Sequence, residues 1–406
     1  MAELMESVSS DVSQILSAAL DGEDITVDDA CVLLDAKGVD YNSTLTVADE
    51  LRRKTVGDIV TYVVNRNINF TNVCIKGCGF CAFSRDFREE QGYFLPVEEI
   101  VRRSREAWEY GATEVCIQAG LPPQMEGDLY IRLCEAIKKE LPDIHIHGFS
   151  PEEVLYGSIR SKVSIKEYLI SLKNAGVGSL PGTSAEILDQ ALRDEISPGR
   201  ITKDQWIEVI TTAHELSIPT TSTIMFGHVE TNKQVAEHIG LIRDLQKETG
   251  GFTEFVPLPF IPYDNKMGKE FGITEMASMD YVFKLHSIAR LFFKNHIKNI
   301  QVSWPKIGLD AAKISLNLGV NDLGGTLIEE NISRESGSEY GQSLTPQQFN
   351  EAILSAGKIP VQRTTNYQII EQDDPDFRHP KENDFLILGK GAQSGTKDSN
   401  PLTMLN

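Results

Sequence analysis

Cys74, Cys78 and Cys81 stand as C-x3-C-x2-C within Asn69-Phe-Thr-Asn-Val-Cys-Ile-Lys-Gly-Cys-Gly-Phe-Cys-Ala-Phe83. A short loop with this spacing can ligate three irons of a cubane cluster while the fourth keeps no protein ligand. A simple electron carrier closes all four positions with thiolate. An open iron suits an enzyme that binds a small chelating molecule, so the fold must offer a cavity beside the loop. Zinc is the rival reading, but a closed structural site takes four ligands, usually as two close pairs. No second pair is present. Cys31, Cys116 and Cys134 are scattered, which reads as small core residues rather than a disulfide framework.

Residues 1–60 read as a helical cap. Apolar residues recur at helical spacing over Asp11 to Leu20, a capped helix follows Thr26, and a third begins near Thr46. From Val63 onwards, apolar β-branched stretches near 63–70, 113–119, 144–149, 177–181, 219–226, 252–258, 299–304 and 320–327 alternate with amphipathic helical patterns. About eight strand–helix repeats predict an α/β chain with a TIM-type (β/α)8 barrel over 61–370 rather than an open doubly wound sheet. The active site of such a barrel lies at the C-terminal ends of its strands. The cysteine loop directly follows the first strand, which puts it at that mouth. Residues 371–406, rich in Asp, Gly and Ser, read as an irregular tail.

The formal net charge of −20 disfavours a nucleic-acid partner, because phosphate binding needs a basic surface. No long uninterrupted apolar run argues for a membrane span. Met1-Ala-Glu-Leu-Met-Glu is acidic and has no apolar stretch after it, unlike a secretory signal. A cytoplasmic location is the expectation.

The cysteine spacing is that of the radical S-adenosylmethionine (SAM) enzymes, and further blocks resemble a subgroup that handles aromatic compounds. This subgroup includes the menaquinone-pathway futalosine enzymes and the two halves of FO synthase. The blocks most similar to the tyrosine-using half include Ala112-Thr-Glu-Val-Cys-Ile-Gln-Ala-Gly-Leu, Ile144-His-Ile-His-Gly-Phe-Ser-Pro-Glu-Glu-Val and Leu180-Pro-Gly-Thr-Ser-Ala-Glu. Others are Thr220-Thr-Ser-Thr-Ile-Met-Phe-Gly-His-Val-Glu, Gly250-Gly-Phe-Thr-Glu-Phe-Val-Pro-Leu and Asn321-Asp-Leu-Gly-Gly-Thr. One departure is Gln118-Ala119-Gly120, where the family usually has Gln-Gly-Gly.

The resemblance implies a 4Fe–4S cluster on Cys74, Cys78 and Cys81, with SAM on the open iron. It implies that L-tyrosine is cleaved at Cα–Cβ and its 4-hydroxybenzyl group joined to C5 of 5-amino-6-(D-ribitylamino)uracil. A separate ring-closing subunit would act next as partner, since this chain carries one cysteine loop. A futalosine substrate is the alternative enzyme reading, and a non-catalytic cluster-binding protein is the alternative from another class.

Roles can then be placed by chemistry. Phe80 fits an aromatic whose backbone meets adenine, or a core aromatic. Gln118 and Gly120 are positioned for the methionine part of SAM, and Ser184 and Glu186 for its ribose or amino group. Arg193 offers a fork for a carboxylate. Glu186 and Arg193 also read as ordinary surface-helix residues. His228 and Glu230 end the fifth strand, where a histidine can move a proton; a hydrogen-bonded structural histidine is the other reading. His145 and His147 share one side of the third strand. Glu254, with Gln301, Ser303 and Asn321, offers donors and acceptors for a ribityl chain and a uracil edge. Asp322, Glu329 and Glu330 fit either a site or helix caps.

Overall fold

The computed structural model describes residues 7–371 except 87 and 90. The expected tail therefore lies, from residue 372 on, outside the described residues.

Three helices come first: α1 (Ser10–Leu20), α2 (Val27–Asp35) and α3 (Gly38–Val56). Thr26 and Asp29 form a reciprocal capping box that starts α2. Helix α2 packs on the helix Asn232–Thr249 and α3 along the helix Met279–Phe293. At the end of α2, the Lys284 ammonium donates to the Leu34 and Ala36 carbonyls at 2.8 and 2.7 Å. Such carbonyls have no partner within their own helix. Arg243 donates to the Ile25 carbonyl and covers the Phe292 ring at 3.8 Å. Packing and cations on backbone oxygens thus bind α2 and α3 to those two later helices, and α1 packs on α2 and α3.

Among the described residues nine strands follow, interleaved with further helices: β1 (Ile59–Val63), β2 (Asn65–Ile68), β3 (Glu114–Ile117), β4 (His145–Gly148), β5 (Val177–Ser179), β6 (Thr220–Phe226), β7 (Phe252–Pro259), β8 (Asp322–Gly325) and β9 (Ile359–Gln362). The ladder β2-β3-β4-β5 continues through a Leu180–Thr220 bridge into β6 and β7. Phe255 bridges to Ile300, Gln301 to Asp322 of β8, and β8 pairs with β1. All these pairings are parallel. Because β1 and β2 are one stave interrupted at Val64, the ring closes with eight staves as a (β/α)8 barrel. The seventh stave is reduced to bridges at Ile300 and Gln301. A short helix, Trp304–Ile307, starts directly behind it with proline in its first turn.

Strand β9 was not expected from the sequence. It pairs in parallel with β1, Ile59 opposite Ile359 and Thr61 opposite Val361. The residues after it enter the lumen floor. Arg363 donates to both Asp322 oxygens at 2.6 and 3.0 Å and to Glu254 at 3.3 Å. The Tyr367 hydroxyl donates to the same Glu254 oxygen, and the Thr365 hydroxyl donates to Glu114 at 2.7 Å.

Successive side chains of a strand point to opposite faces. That period sends Asn65 and Asn67 of β2, Glu114 and Cys116 of β3, Thr221 and Thr223 of β6, and Glu254 of β7 to the inner wall. An ordinary barrel fills this space with Val, Ile and Leu. Here the inner face is polar and leaves a cavity, while the apolar core lies between the barrel and its helices, around residues such as Ile68, Ile117, Trp206, Phe255 and Phe292.

Replacing Arg363 with Met should leave Asp322 and Glu254 buried without their cation. Loss of one partner of a buried pair costs about 3–5 kcal/mol. A drop of that size in chemical denaturation is expected, whereas an unchanged transition would show that the floor does not depend on this ion pair.

Candidate active site

A cavity of about 440 Å³ reaches from the cysteine loop to the Arg363 floor. The loop is tied down by its neighbour after β3. Gly120 N–H donates to the Thr71 carbonyl at 2.9 Å, and Ile75 N–H donates to the Leu121 carbonyl at 2.9 Å. The approach is so close that a Cβ on Gly120 would lie 2.3 Å from the Val73 carbonyl oxygen. Gly120 is therefore required sterically, two residues from where Gln118 lines the cavity. Ala119, the departure from the family block, is accommodated, and its N–H donates to Glu153 at 2.9 Å.

Cys74, Cys78 and Cys81 are half-buried free thiols lining one end of the cavity. Burial pushes the Cys78 thiol up to about 12 and raises Cys74 as well. Thiols in so dry a wall become thiolates when bound to a cationic centre, which fits ligation of iron. Among the described residues no three His, Cys, Asp or Glu side chains are grouped to hold a single metal ion. The thiolates of a cubane bind at separate corners and need not converge on one ion.

Across from the thiols, the loop after β5 is held in an uncommon backbone conformation. Ser184 and Glu186 have φ of 60° and 42°, a region that side chains other than glycine rarely adopt. Two arginines stabilise it. Arg193, expected to face a cofactor carboxylate, does not line the cavity. It sits behind the loop, donating to the carbonyls of Ser184 at 3.0 Å, Ala185 and Ile201 at 2.8 Å, and to Glu186 at 3.0 Å. Its fork is occupied by the loop it supports.

The cation that does line the cavity here is Arg200, which the sequence reading missed. It donates to Glu186 at 2.8 Å, to the Ser184 hydroxyl at 2.7 Å and to Glu152 at 3.2 Å, and its guanidinium carbon lies 5.4 Å from the centre of the Phe80 ring. Its only sequence mark is the preceding Pro198-Gly199 turn, which gives no sign of where the guanidinium points. Glu153 was missed too, although Ser150 and Glu153 have capping-box spacing. Its carboxyl accepts from Ser150 N–H and Oγ at 2.7 and 2.6 Å, and burial pushes it up to about 7.

His228 and Glu230 do not line the cavity either, which corrects their expected place at the mouth. Their side chains are 0 and 4% exposed, with His228 Nδ1 3.1 Å from a Glu230 oxygen. The Glu230 carboxylate accepts the Gly227 and His228 backbone N–H groups, so the pair closes the turn after β6. Glu254, Gln301, Ser303 and His147 do line the cavity. His145 and His147 both contact the Ser179 hydroxyl, at 2.7 and 2.6 Å, but His145 lies outside the lining. Asn321 lies below, bonded to Arg290 at 2.6 Å and to Ile300 N–H at 2.9 Å. Glu329 pairs with Arg66 at 2.6 Å behind the wall, whereas Glu330 lines the cavity.

Burial pushes the Glu254 carboxyl up from 4.5 to about 7, against the pull of Arg363 and the Tyr367 hydrogen bond. A carboxyl raised on folding contributes stability that is full below its unfolded value and lost as pH rises through about 7. Denaturation of wild type and Glu254→Gln at pH 5 and pH 8 should show the wild type losing more stability towards pH 8 than the variant. Equal losses would mean that Glu254 keeps its ordinary titration.

The comparisons agree with this geometry. Residues 68–242 match the radical SAM superfamily, and residues 249–375 match the CofH/MqnC C-terminal region. The chain is 48% identical over 327 residues to 5-amino-6-(D-ribitylamino)uracil–L-tyrosine 4-hydroxyphenyl transferase 1 of Methanosarcina acetivorans, spanning 80% of this chain and 86% of that one. It is 44% identical over 358 residues to the transferase of Methanothermobacter thermautotrophicus, spanning 88% and 97%. Among solved structures, methylornithine synthase (PylB) aligns with a TM-score of 0.67 at 17% identity over 85% of this chain and 97% of its own. The hydrogenase maturase HydG aligns at 0.68 and 16% identity over 88% and 77%; both likenesses concern the fold. The chain belongs to the 5-amino-6-(D-ribitylamino)uracil–L-tyrosine 4-hydroxyphenyl transferase family of the radical SAM superfamily.

Proposed function

We propose that this chain cleaves L-tyrosine at Cα–Cβ and transfers the 4-hydroxybenzyl group to C5 of 5-amino-6-(D-ribitylamino)uracil. The observation that carries the reading is three free thiols at one end of a barrel cavity lined by both apolar and charged side chains, in a chain 48% identical to a transferase of that name. Cys74, Cys78 and Cys81 would hold a 4Fe–4S cluster. Such a cluster, bound and reduced, would supply the one electron that cleaves the C5′–S bond of SAM into methionine and a 5′-deoxyadenosyl radical able to take a hydrogen atom from the substrate.

The chain's own residues bind, orient and enclose. Gln118, Ser184, Glu186 and Arg200 line the cluster end, where a zwitterionic and ribose-bearing molecule needs both charges and hydroxyl acceptors. Phe80 offers an aromatic face beside them. Glu254, Gln301 and Ser303 supply donors and acceptors nearer the floor for a polyol and a pyrimidine edge. The floor closed by Arg363 limits water, which would quench reactive intermediates. His228 and Glu230 hold the turn after β6. A ring-closing partner subunit rests on the resemblance, and a cytoplasmic location on the expectation drawn from the sequence. No helix among the described residues is long and apolar enough to cross a membrane.

Anaerobic turnover of cluster-loaded protein with SAM, L-tyrosine and the aminouracil should give 5′-deoxyadenosine and, by mass spectrometry, a hydroxybenzyl adduct. Cys78→Ala should lose both products while keeping the circular dichroism of the fold. Formation of 5′-deoxyadenosine without adduct would remove the substrate assignment, and full activity in Cys78→Ala would remove the cluster.

A further inference from the structure

Four cationic side chains line the cavity: Lys76, Arg200, Lys306 and Arg363. Three are neutralised by the protein. Lys76 pairs with Glu152 at 3.2 Å, Arg200 with Glu186 and Glu152, and Arg363 with Asp322 and Glu254. Lys306 differs. Among the described residues its ammonium has no hydrogen-bond or ion-pair partner. Glu330 pulls on it electrostatically but forms no ion pair with it. The Glu330 carboxylate instead accepts the Ser333 N–H at 3.0 and 3.1 Å.

Lys306 belongs to the short helix Trp304–Ile307, directly after the seventh stave, and so sits at the C-terminal mouth of the barrel. The cysteine loop follows β2, and Ser184 and Glu186 follow β5. Lys306 therefore stands in another sector of the wall from the residues grouped around the thiols. Burial disfavours its charge. Lys306 is half-buried in the lining, where an ammonium without a counter-ion is partly desolvated, and an arriving carboxylate offsets that cost.

The proposed reaction brings two amino-acid head groups into one cavity. The head group of SAM belongs at the cluster end, on the open iron, among Gln118, Glu186 and Arg200. The carboxylate of the second amino acid needs a cation of its own, and the one left unpaired in the lining is Lys306. We propose that Lys306 binds the α-carboxylate of the tyrosine substrate, fixing the end of the molecule beyond the Cα–Cβ bond that breaks. Lys306 is then a specificity-determining residue for amino acids over the corresponding amines. The inference rests on the tyrosine reading above.

The test is calorimetric binding to cluster-loaded protein with SAM present, using L-tyrosine and tyramine, which lacks the carboxylate. The variants are Lys306→Met and Lys306→Arg. A charge-assisted contact of this kind is worth about 30-fold in affinity. Lys306→Met should weaken L-tyrosine by about that factor, leave tyramine unchanged, and keep wild-type iron content and SAM affinity. Lys306→Arg should recover much of the tyrosine affinity. Unchanged tyrosine binding in Lys306→Met overturns the assignment, as does equal weakening of both ligands, which marks a structural role. Wild-type protein that binds no tyrosine removes the substrate reading itself, and the assignment with it.

Discussion

Opening a cavity in a parallel barrel replaces apolar filler with polar and charged side chains, and those charges must be balanced in low dielectric. Arg363 is where this balance is struck. One guanidinium joins Asp322 of β8 and Glu254 of β7, with the Tyr367 hydroxyl on the same Glu254 oxygen and Thr365 on Glu114 of β3. The cation directly follows β9, which lies after the other barrel strands in the chain. The polar inner face is therefore complete when β9 has paired with β1 and carried Arg363 inward.

The opposite end is built on a related principle, with backbone in place of charge. The cysteine loop is pinned by Gly120 against Val73 at a distance that no side chain allows. The loop bearing Ser184 and Glu186 is held at positive φ by Arg193 from behind and Arg200 from the cavity side. Protein contacts alone thus support both loops, and such support reduces the ordering that binding requires. Among the cations of the lining Lys306 is the exception, and its missing counter-charge is what marks it.

Much of the fold was legible in the sequence because it rests on local periodicity. The capping box at Thr26, the strand–helix alternation and the cysteine spacing each survive in the structure at the expected places. Strand β9 was not legible, since Ile359–Gln362 is short, has no alternating pattern and is stabilised by pairing with residues three hundred positions earlier. Arg193 and Arg200 show the same limit at the level of one side chain. Both are arginines after β5, and the sequence reading named Arg193 because a guanidinium fork matches a carboxylate. The turn at Pro198-Gly199 folds Arg200 into the cavity instead and leaves Arg193 behind it. His228 and Glu230 were placed at the right strand end, but their mutual contact and the backbone N–H groups they bind turn them away from the lumen.

The sequence by itself determined the chemistry the site can hold. Three thiols within eight residues define a ligand set wherever the loop lies, and period-two alternation decides which residues share a face of a strand. Tertiary structure decided which charges are neutralised and which remain open to a ligand. That outcome depends on distances between segments far apart in the chain, as when Asp322 meets Arg363 and Glu186 meets Arg200 while Lys306 meets no carboxylate. Coulombic pairing in a buried cavity is set by a few ångströms, and only closure of the barrel fixes those.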